Sequence, residues 1–536
     1  MREHWKKRIV YQIYPRSFYD SNGDGIGDLQ GIISKLDYIY SLGVDTIWLS
    51  PVYQSPNDDN GYDISDYYQI QPEFGTLDDM EQLITKAKAL GIGIIMDLVI
   101  NHTSDEHEWF IKSMEKDPEY RDFYIWKDQP NNWSGFFSGT TWEKIDDQYY
   151  LHLFSKKQPD LNWKNPKVYD EIKKVMTFWL EKGIIGFRCD VINIIYKTSL
   201  ENGKPRLVLK GLEHYHQQPG MHDILKRLRK EVLKPYQAFT VGETVMVNTT
   251  QANDLIEPDR KELDMVFSFE HMETDQWNNK WFKTKFRPTK FLKTIAKWQE
   301  QVYWNAYYFE NHDQPRSVSR FANDKRYRVE VAKMLAILLV SLKGTPFIYQ
   351  GQEIGMTNAY FKNLSDYKDV ETHRINKLAK KLCFPKWLRM KMIMKTSRDN
   401  ARQPMQWTKE GGFSKGEPWI KKNSNTSWIH VEKEEKDDDS ILNLYKKMIE
   451  LRKTYETFTE GTFKLLYLKG GLMLFKREGK NHNLTICVNF SAKKKRYPMT
   501  LQGELLISTA KTVDLKTKVL NPYEAFIIKE VHSNES

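Results

Sequence analysis

Gly186-Phe187-Arg188-Cys189-Asp190-Val191 reads as a short buried strand that ends in a charged pair. Residues two apart on a strand share a face, so Arg188 lies alongside Asp190 and favours its ionised form. A carboxylate held ionised and aimed from the C-terminal end of a strand is what a nucleophilic acid requires. An isolated Arg-x-Asp triplet is more often a plain ion pair. The reading therefore depends on what the neighbouring strands deliver.

Upstream, Asn165-Pro166 caps a helix whose Val168, Ile172, Val175 and Trp179 share one face. Before it stand three strand candidates, Ile9 to Tyr14, Thr46 to Leu49, and Ile92 to Val99. The third carries Asp97 and ends at Asn101-His102. Helical patterns separate them, one with Ile33, Leu36, Ile39 and Tyr40 on a face and one from Met80 to Leu90. Downstream come Phe239 to Glu243, Asp264 to Phe269, Ala306 to Phe309, and Thr345 to Tyr349. With 186–190 this makes eight strands alternating with helices, and the pattern predicts an α/β fold, a (β/α)₈ TIM barrel. The rhythm breaks between Thr103 and Trp163, a stretch rich in Trp, Gly, Asn, Asp and Ser with no long helical signal. It reads as an irregular subdomain inserted after strand three. Beyond the helix around Leu442 to Arg452 the pattern becomes short alternating strands such as Leu484 to Val488. The expected division is a catalytic barrel of 1–102 and 164–454, an inserted subdomain of 103–163, and a C-terminal antiparallel β-domain of 455–536.

At 536 residues the chain exceeds one ordinary core, and 40% hydrophobic with 13% aromatic residues marks it as globular. The formal charge of +10 comes from 81 basic and 71 acidic residues spread over short runs, such as Lys380-Lys381 and Lys493-Lys494-Lys495. That distribution reads as a solvated surface, not a nucleic-acid face. Three cysteines, Cys189, Cys383 and Cys487, have no metal or disulfide spacing and fit a reducing compartment. Cys189 reads as a packing residue facing away from Asp190. The start of the chain lacks an apolar signal region, and the longest apolar run, Leu335 to Leu342, cannot span a bilayer. A cytoplasmic monomer with no membrane or nucleic-acid partner is expected.

After the first strand, Asp20-Ser21-Asn22-Gly23-Asp24-Gly25-Ile26-Gly27-Asp28 places side-chain oxygens at alternate positions around two turn glycines. This suits a hard cation. The expectation is a Ca²⁺ site of Asp20, Asn22, Asp24, Asp28 and the Ile26 carbonyl; the alternative is a run of Asx turns with no ion.

In such a barrel, residues at the C-terminal ends of strands converge on one mouth. Asp190, Glu243 and Asp313 come from three strand ends, with His102, Arg188 and His312 beside them. Three carboxylates, two imidazoles and a guanidinium form an acid–base site.

The chain resembles the α-amylase family, glycoside hydrolase family 13, and within it the oligo-1,6-glucosidase and α-glucosidase branch. The matching motifs are Asp97-Leu98-Val99-Ile100-Asn101-His102, Gly186-Phe187-Arg188-Cys189-Asp190, Val241-Gly242-Glu243 and Glu310-Asn311-His312-Asp313-Gln314-Pro315-Arg316. Gln158-Pro159-Asp160-Leu161-Asn162-Trp163 and Ser397-Arg398-Asp399-Asn400-Ala401-Arg402 add to them. The resemblance implies Asp190 as nucleophile, Glu243 as general acid/base, and Asp313 as the grip on the sugar's ring hydroxyls. It implies that His102, Arg188 and His312 bind the cleaved glucose, and that Asp59, Tyr62 and Arg398 close the far end of the pocket. Phe154 and Gln158 would come from the insert. A retaining glycosidase keeps its two carboxyl groups roughly 5–5.5 Å apart, whereas more than about 6.5 Å favours inversion.

In this family a Val after the nucleophile, here Val191, accompanies a preference for α-1,6 links. The implied activity is hydrolysis of α-1,6 bonds at the non-reducing end of short isomalto-oligosaccharides, with no organic cofactor. The alternatives are a trehalose-6-phosphate hydrolase, an α-1,4-glucosidase or sucrose-active relative, a transglycosylase, and a non-catalytic binding protein. The segment Ile194 to Met221 departs from the branch's usual sequence. It is expected to border the mouth and to alter the second-sugar subsite.

Overall fold

The computed structural model describes residues 4–137, 139–277 and 279–530. Eight strands close into a barrel: β1 (Val10–Ile13), β2 (Thr46–Leu49), β3 (Gly93–Leu98), β4 (Gly186–Cys189), β5 (Phe239–Glu243), β6 (Met265–Phe267), β7 (Asn305–Tyr307) and β8 (Thr345–Tyr349). Their order around the barrel is β1-β8-β7-β6-β5-β4-β3-β2. The (β/α)₈ expectation holds, with strands one to three residues shorter than the apolar runs suggested at five of the eight positions.

The chain forms two compact units. One comprises 28–33 and 48–267. In it β4 pairs in parallel with β3 and β5, with Arg188 opposite Asp97 and Val241. A Cβ at Gly186 would lie 2.2 Å from the Phe239 carbonyl oxygen, so only glycine lets β4 and β5 approach there. The helix Leu77–Ala89 starts at a capping box between Thr76 and Asp79 and buries Met80, Leu83, Ile84 and Ala87. The helix Pro166–Glu181 has Asn165 as its N-cap and buries Val168, Ile172, Val175 and Trp179, the face read from sequence.

The 103–163 stretch is more regular than expected. It contains a helix, Glu108–Met114, and an antiparallel three-stranded sheet in the order Trp126–Lys127, Gln148–Leu151, Trp142–Ile145. Its Trp133, Trp142, Leu151 and Leu153 form one buried cluster with Val191, Ile194 and Tyr215.

The other unit comprises the described residues of 1–27, 34–47 and 268–536. There β8 pairs in parallel with β1 and β7. The helix Asp324–Ser341 is buried nearly all round. Its C-terminal carbonyls take guanidinium donors from Arg452 and Arg477, which favour that negative end of the helix dipole. A five-stranded antiparallel sheet closes the chain: Thr462–Lys469, Leu472–Glu478, Asn483–Asn489, Ala525–Glu530 and Glu504–Ser508, in that order across it. Among the described residues no helix is long and apolar enough to cross a membrane.

Candidate active site

Asp190 follows β4 directly, and the two-residue strand period turns Arg188 toward it. Arg188 Nη1 donates to both Asp190 and Asp97, and Nη2 lies 2.7 Å from Glu243 Oε2. One buried guanidinium therefore serves three acids. Asp97 also accepts from Trp48 Nε1 at 2.8 Å, and the guanidinium sits 5.3 Å from the Trp48 ring and 5.7 Å from that of Tyr62. Val191 adopts φ 36° and ψ 39°, a left-handed conformation rarely taken by a β-branched residue. In that conformation its N–H donates to Glu243 Oε2 at 3.3 Å. Such a backbone costs about 1–3 kcal/mol and persists where the surroundings over-determine it.

The charge state differs from the sequence expectation. Burial pushes the Asp190 carboxyl well above the usual carboxylate range, and Glu243 and Asp97 reinforce this against the pull of Arg188. Burial likewise lifts Asp97 to about 6 despite Arg188. Arg188 does not simply hold Asp190 ionised, because three acids compete for one cation. Asp190 and Glu243 stand on the two terminal nitrogens of the same guanidinium, Nη1 and Nη2.

Around this pair the same unit assembles the other expected residues. His102 Nδ1 accepts from Asn101, and its Nε2 donates to the Tyr62 carbonyl at 3.2 Å. Burial lowers His102 to about 4, so its ring is neutral. The Phe154 ring lies 5.2 Å from it, and Gln158 Nε2 lies 3.1 Å from His102 Nε2 and 3.4 Å from Asp59 Oδ2. Asp59, Tyr62, His102, Phe154, Gln158, Arg188, Asp190, Val191 and Glu243 thus belong to one network.

The second unit gathers the remaining three. Asp313 follows β7, and its Oδ1 accepts from Arg402 at 2.7 Å and from Arg398 at 3.5 Å. His312 Nε2 stands 3.3 Å from Asp313 Oδ2, while its Nδ1 lies 2.8 Å from Gln12 Nε2 and Tyr14 stacks on its ring at 6.2 Å. Arg398 is shared with Asp369, at 2.7 Å. Burial opposes the charge on Asp313, but His312, Arg398 and Arg402 outweigh it and hold the carboxyl far below its ordinary range.

Asp97, Gln12, Asp369 and Arg402 take part in these clusters without having been singled out from sequence. Asp97 and Arg402 do lie inside quoted motifs. Asp97 meets Arg188 only through the β3–β4 register.

Residues 12–461 match the family description "Alpha amylase, catalytic domain". The chain belongs to the α-amylase family. It is 47% identical to the oligo-1,6-glucosidase of Parageobacillus thermoglucosidasius, with 98% of each chain covered. Among solved structures it resembles trehalose-6-phosphate hydrolase from Bacillus licheniformis, with a TM-score of 0.95 at 41% identity over 98% of this chain and 99% of that one. It also resembles isomaltulose synthase from Klebsiella sp. LX3, with a TM-score of 0.93 at 38% identity and the same shares of coverage.

In this family member the atypical segment 194–221 is tied to the insert. Asn132 and Gly203 exchange hydrogen bonds of 2.9 and 2.7 Å, Trp133 Nε1 donates to the Glu201 carbonyl, and Trp133 stacks on His214 at 5.6 Å.

The acids of the 20–28 loop are held in turns by backbone N–H groups. Asp20 accepts from the N–H groups of Asn22, Gly23 and Gly25, Asp24 from Ile26, and Asp28 from Gly31. Its acids cap separate turns, and among the described residues no three His, Cys, Asp or Glu side chains group to hold a metal ion.

Proposed function

We propose that this protein is a retaining, exo-acting α-glucosidase that hydrolyses α-1,6 bonds at the non-reducing end of short isomalto-oligosaccharides. The observation that carries the proposal is the Asp190–Glu243 pair, held on the two terminal nitrogens of one buried guanidinium, Arg188. Two carboxyl groups anchored to one guanidinium suit the close spacing of a double displacement. The 47% identity to an oligo-1,6-glucosidase over nearly the whole chain supports the bond type, as does Val191 after the nucleophile.

Placement of one proton sets the division of labour. A glycosidic oxygen that accepts from Glu243 localises the proton there and leaves Asp190 ionised. Asp190 Oδ then bonds to the sugar C1 as the C1–O bond breaks, and Glu243 passes its proton to the leaving sugar. Glu243, now a carboxylate, takes a proton from water; the water oxygen bonds to C1 and the ester to Asp190 breaks. Asp313, ionised by its cationic neighbours, grips the ring hydroxyls with His102, Arg188 and His312. Asp59, Tyr62 and Arg398 close on the non-reducing end, and Phe154 and Gln158 line the pocket from the insert. The enzyme works in this reading as a cytoplasmic monomer on a small sugar, with a structural Ca²⁺ held by Asp20, Asn22, Asp24, Asp28 and the Ile26 carbonyl.

The test is kcat/KM on isomaltose, maltose, sucrose, trehalose and trehalose-6-phosphate. Isomaltose at least about 10-fold above maltose is the expected result; a strong maltose preference contradicts it. The 0.95 TM-score to a trehalose-6-phosphate hydrolase favours one second reading, in which the phosphorylated disaccharide leads the panel.

A further inference from the structure

Residues 370–396 form a helical hairpin, α1 (Val370–Lys381) and α2 (Lys386–Thr396), joined by four residues. Its base is locked. Asp369 caps α1 and accepts from Arg398 at 2.7 Å, Thr372 and Ser397 hydroxyls bond at 2.7 Å, and Ile375, Met390 and Ile393 pack into a cluster with Trp281, Phe361 and Tyr367. The far end is the opposite. Lys380, Lys381, Leu382, Cys383, Pro385, Lys386 and Trp387 are all exposed. Trp387 is 67% and Leu382 59% accessible, and Leu378 one turn back is 45%.

The hairpin carries eight basic residues against the single acid Glu371, which makes it the source of seven of the chain's ten net positive charges. Among the described residues no carboxylate ion pair engages Lys377, Lys380, Lys381 or Lys386. A solvated surface explains lysines. It does not explain a tryptophan and two leucines projecting among them, since such side chains lose free energy in water. The exposed residues cluster at the turn of the hairpin, away from its packed base. Point-charge lysines around an apolar tip match lipid headgroups over acyl chains, and tryptophan is at home at that boundary.

We propose that the 377–387 tip docks the enzyme peripherally on an anionic phospholipid bilayer, with Leu382 and Trp387 entering the headgroup layer and Lys377, Lys380, Lys381 and Lys386 above it. No membrane-crossing segment is involved. The sequence reading of this run as a bland solvated face, with no membrane partner, is revised on that ground alone. The inference does not depend on the proposed substrate.

The experiment is co-sedimentation of the full chain with phosphatidylcholine vesicles containing or lacking phosphatidylglycerol, beside heparin and RNA as soluble polyanions. Binding to the anionic vesicles only, weakened roughly 100-fold by Lys380→Glu/Lys381→Glu/Lys386→Glu through the loss of about 1 kcal/mol per lysine, is the expected result. Trp387→Ala should weaken binding further in a manner that salt does not mimic. Both variants should keep the far-UV circular dichroism spectrum and Tm of the unsubstituted protein, which shows that they fold. Equal binding to both vesicle types, no effect of the triple variant, or binding to heparin or RNA but not to vesicles would each overturn the proposal.

Discussion

The charged clusters of the two units invert one another. Around Arg188 three acids crowd one cation, and Asp190 is driven toward its protonated form. Around Asp313 one acid stands among His312, Arg398 and Arg402, and it is driven toward its ionised form. Burial is common to both carboxyls, so the sign of the shift follows from the ratio of acids to cations. One cluster stores a proton that can move during a reaction. The other stores a charge that cannot, and it suits an electrostatic grip that is ready before the sugar arrives.

The comparison can be broken by substitution. Asp190→Asn should lower kcat/KM on isomaltose by roughly 10⁴-fold or more, because it removes the atom that bonds to carbon. Glu243→Gln should cost about 10²–10⁴-fold on isomaltose and much less on an aryl glucoside whose leaving group needs no proton. Asp313→Asn should cost about 10²–10³-fold and leave the pH limits of kcat/KM where they were, since Asp313 stays ionised throughout the working range. If Asp313→Asn moved those limits, the distinction between a stored proton and a stored charge would fail.

Stability separates the clusters with opposite sign. The folded-state acidity of Asp190 is raised, so its burial weakens the fold above the unfolded carboxyl pKa, near 4, increasingly as pH rises. Asp190→Asn should therefore raise Tm at pH 7 by about 2 °C or more, with the gain shrinking toward pH 4. The Asp313 carboxyl is depressed, so its ion pairs stabilise the fold above pH about 4 and fade as pH falls below it. Asp313→Asn should lower Tm at pH 7. Thermal scans of both variants at pH 4 and pH 7 check the pair of signs. The smallest effect concerns the 20–28 loop: stripping a bound Ca²⁺ with chelator should lower Tm by about 1–2 °C, and an unchanged Tm would remove the ion from the account.

Much of this was legible in the chain before any coordinates. The barrel strands are apolar runs bounded by helices with ordinary caps, and Asn165-Pro166 marked a helix start correctly. The Arg188–Asp190 pair followed from the period of a strand. What escaped was non-local. Asp97 lies 93 positions before Asp190 in the chain and becomes a rival for Arg188 only through the β3–β4 register. Without it Asp190 reads as simply ionised. Arg402 and Asp369 meet their partners through loops that no periodicity describes. In the insert, Trp142–Ile145 and Gln148–Leu151 are a hairpin turned at Asp146, whose φ of 53° is the left-handed value that Asp tolerates. That signal was present and was hidden by the aromatic richness around it.

The central claim is that Asp190 becomes covalently bonded to the sugar. Incubating the Glu243→Gln variant with an activated 2-deoxy-2-fluoro glucosyl donor, then mapping peptides by mass spectrometry, tests it directly. The account predicts one fluoroglucosyl unit on the peptide that contains Asp190, on that residue alone. An unlabelled Asp190, or a label on any other carboxylate, would contradict it.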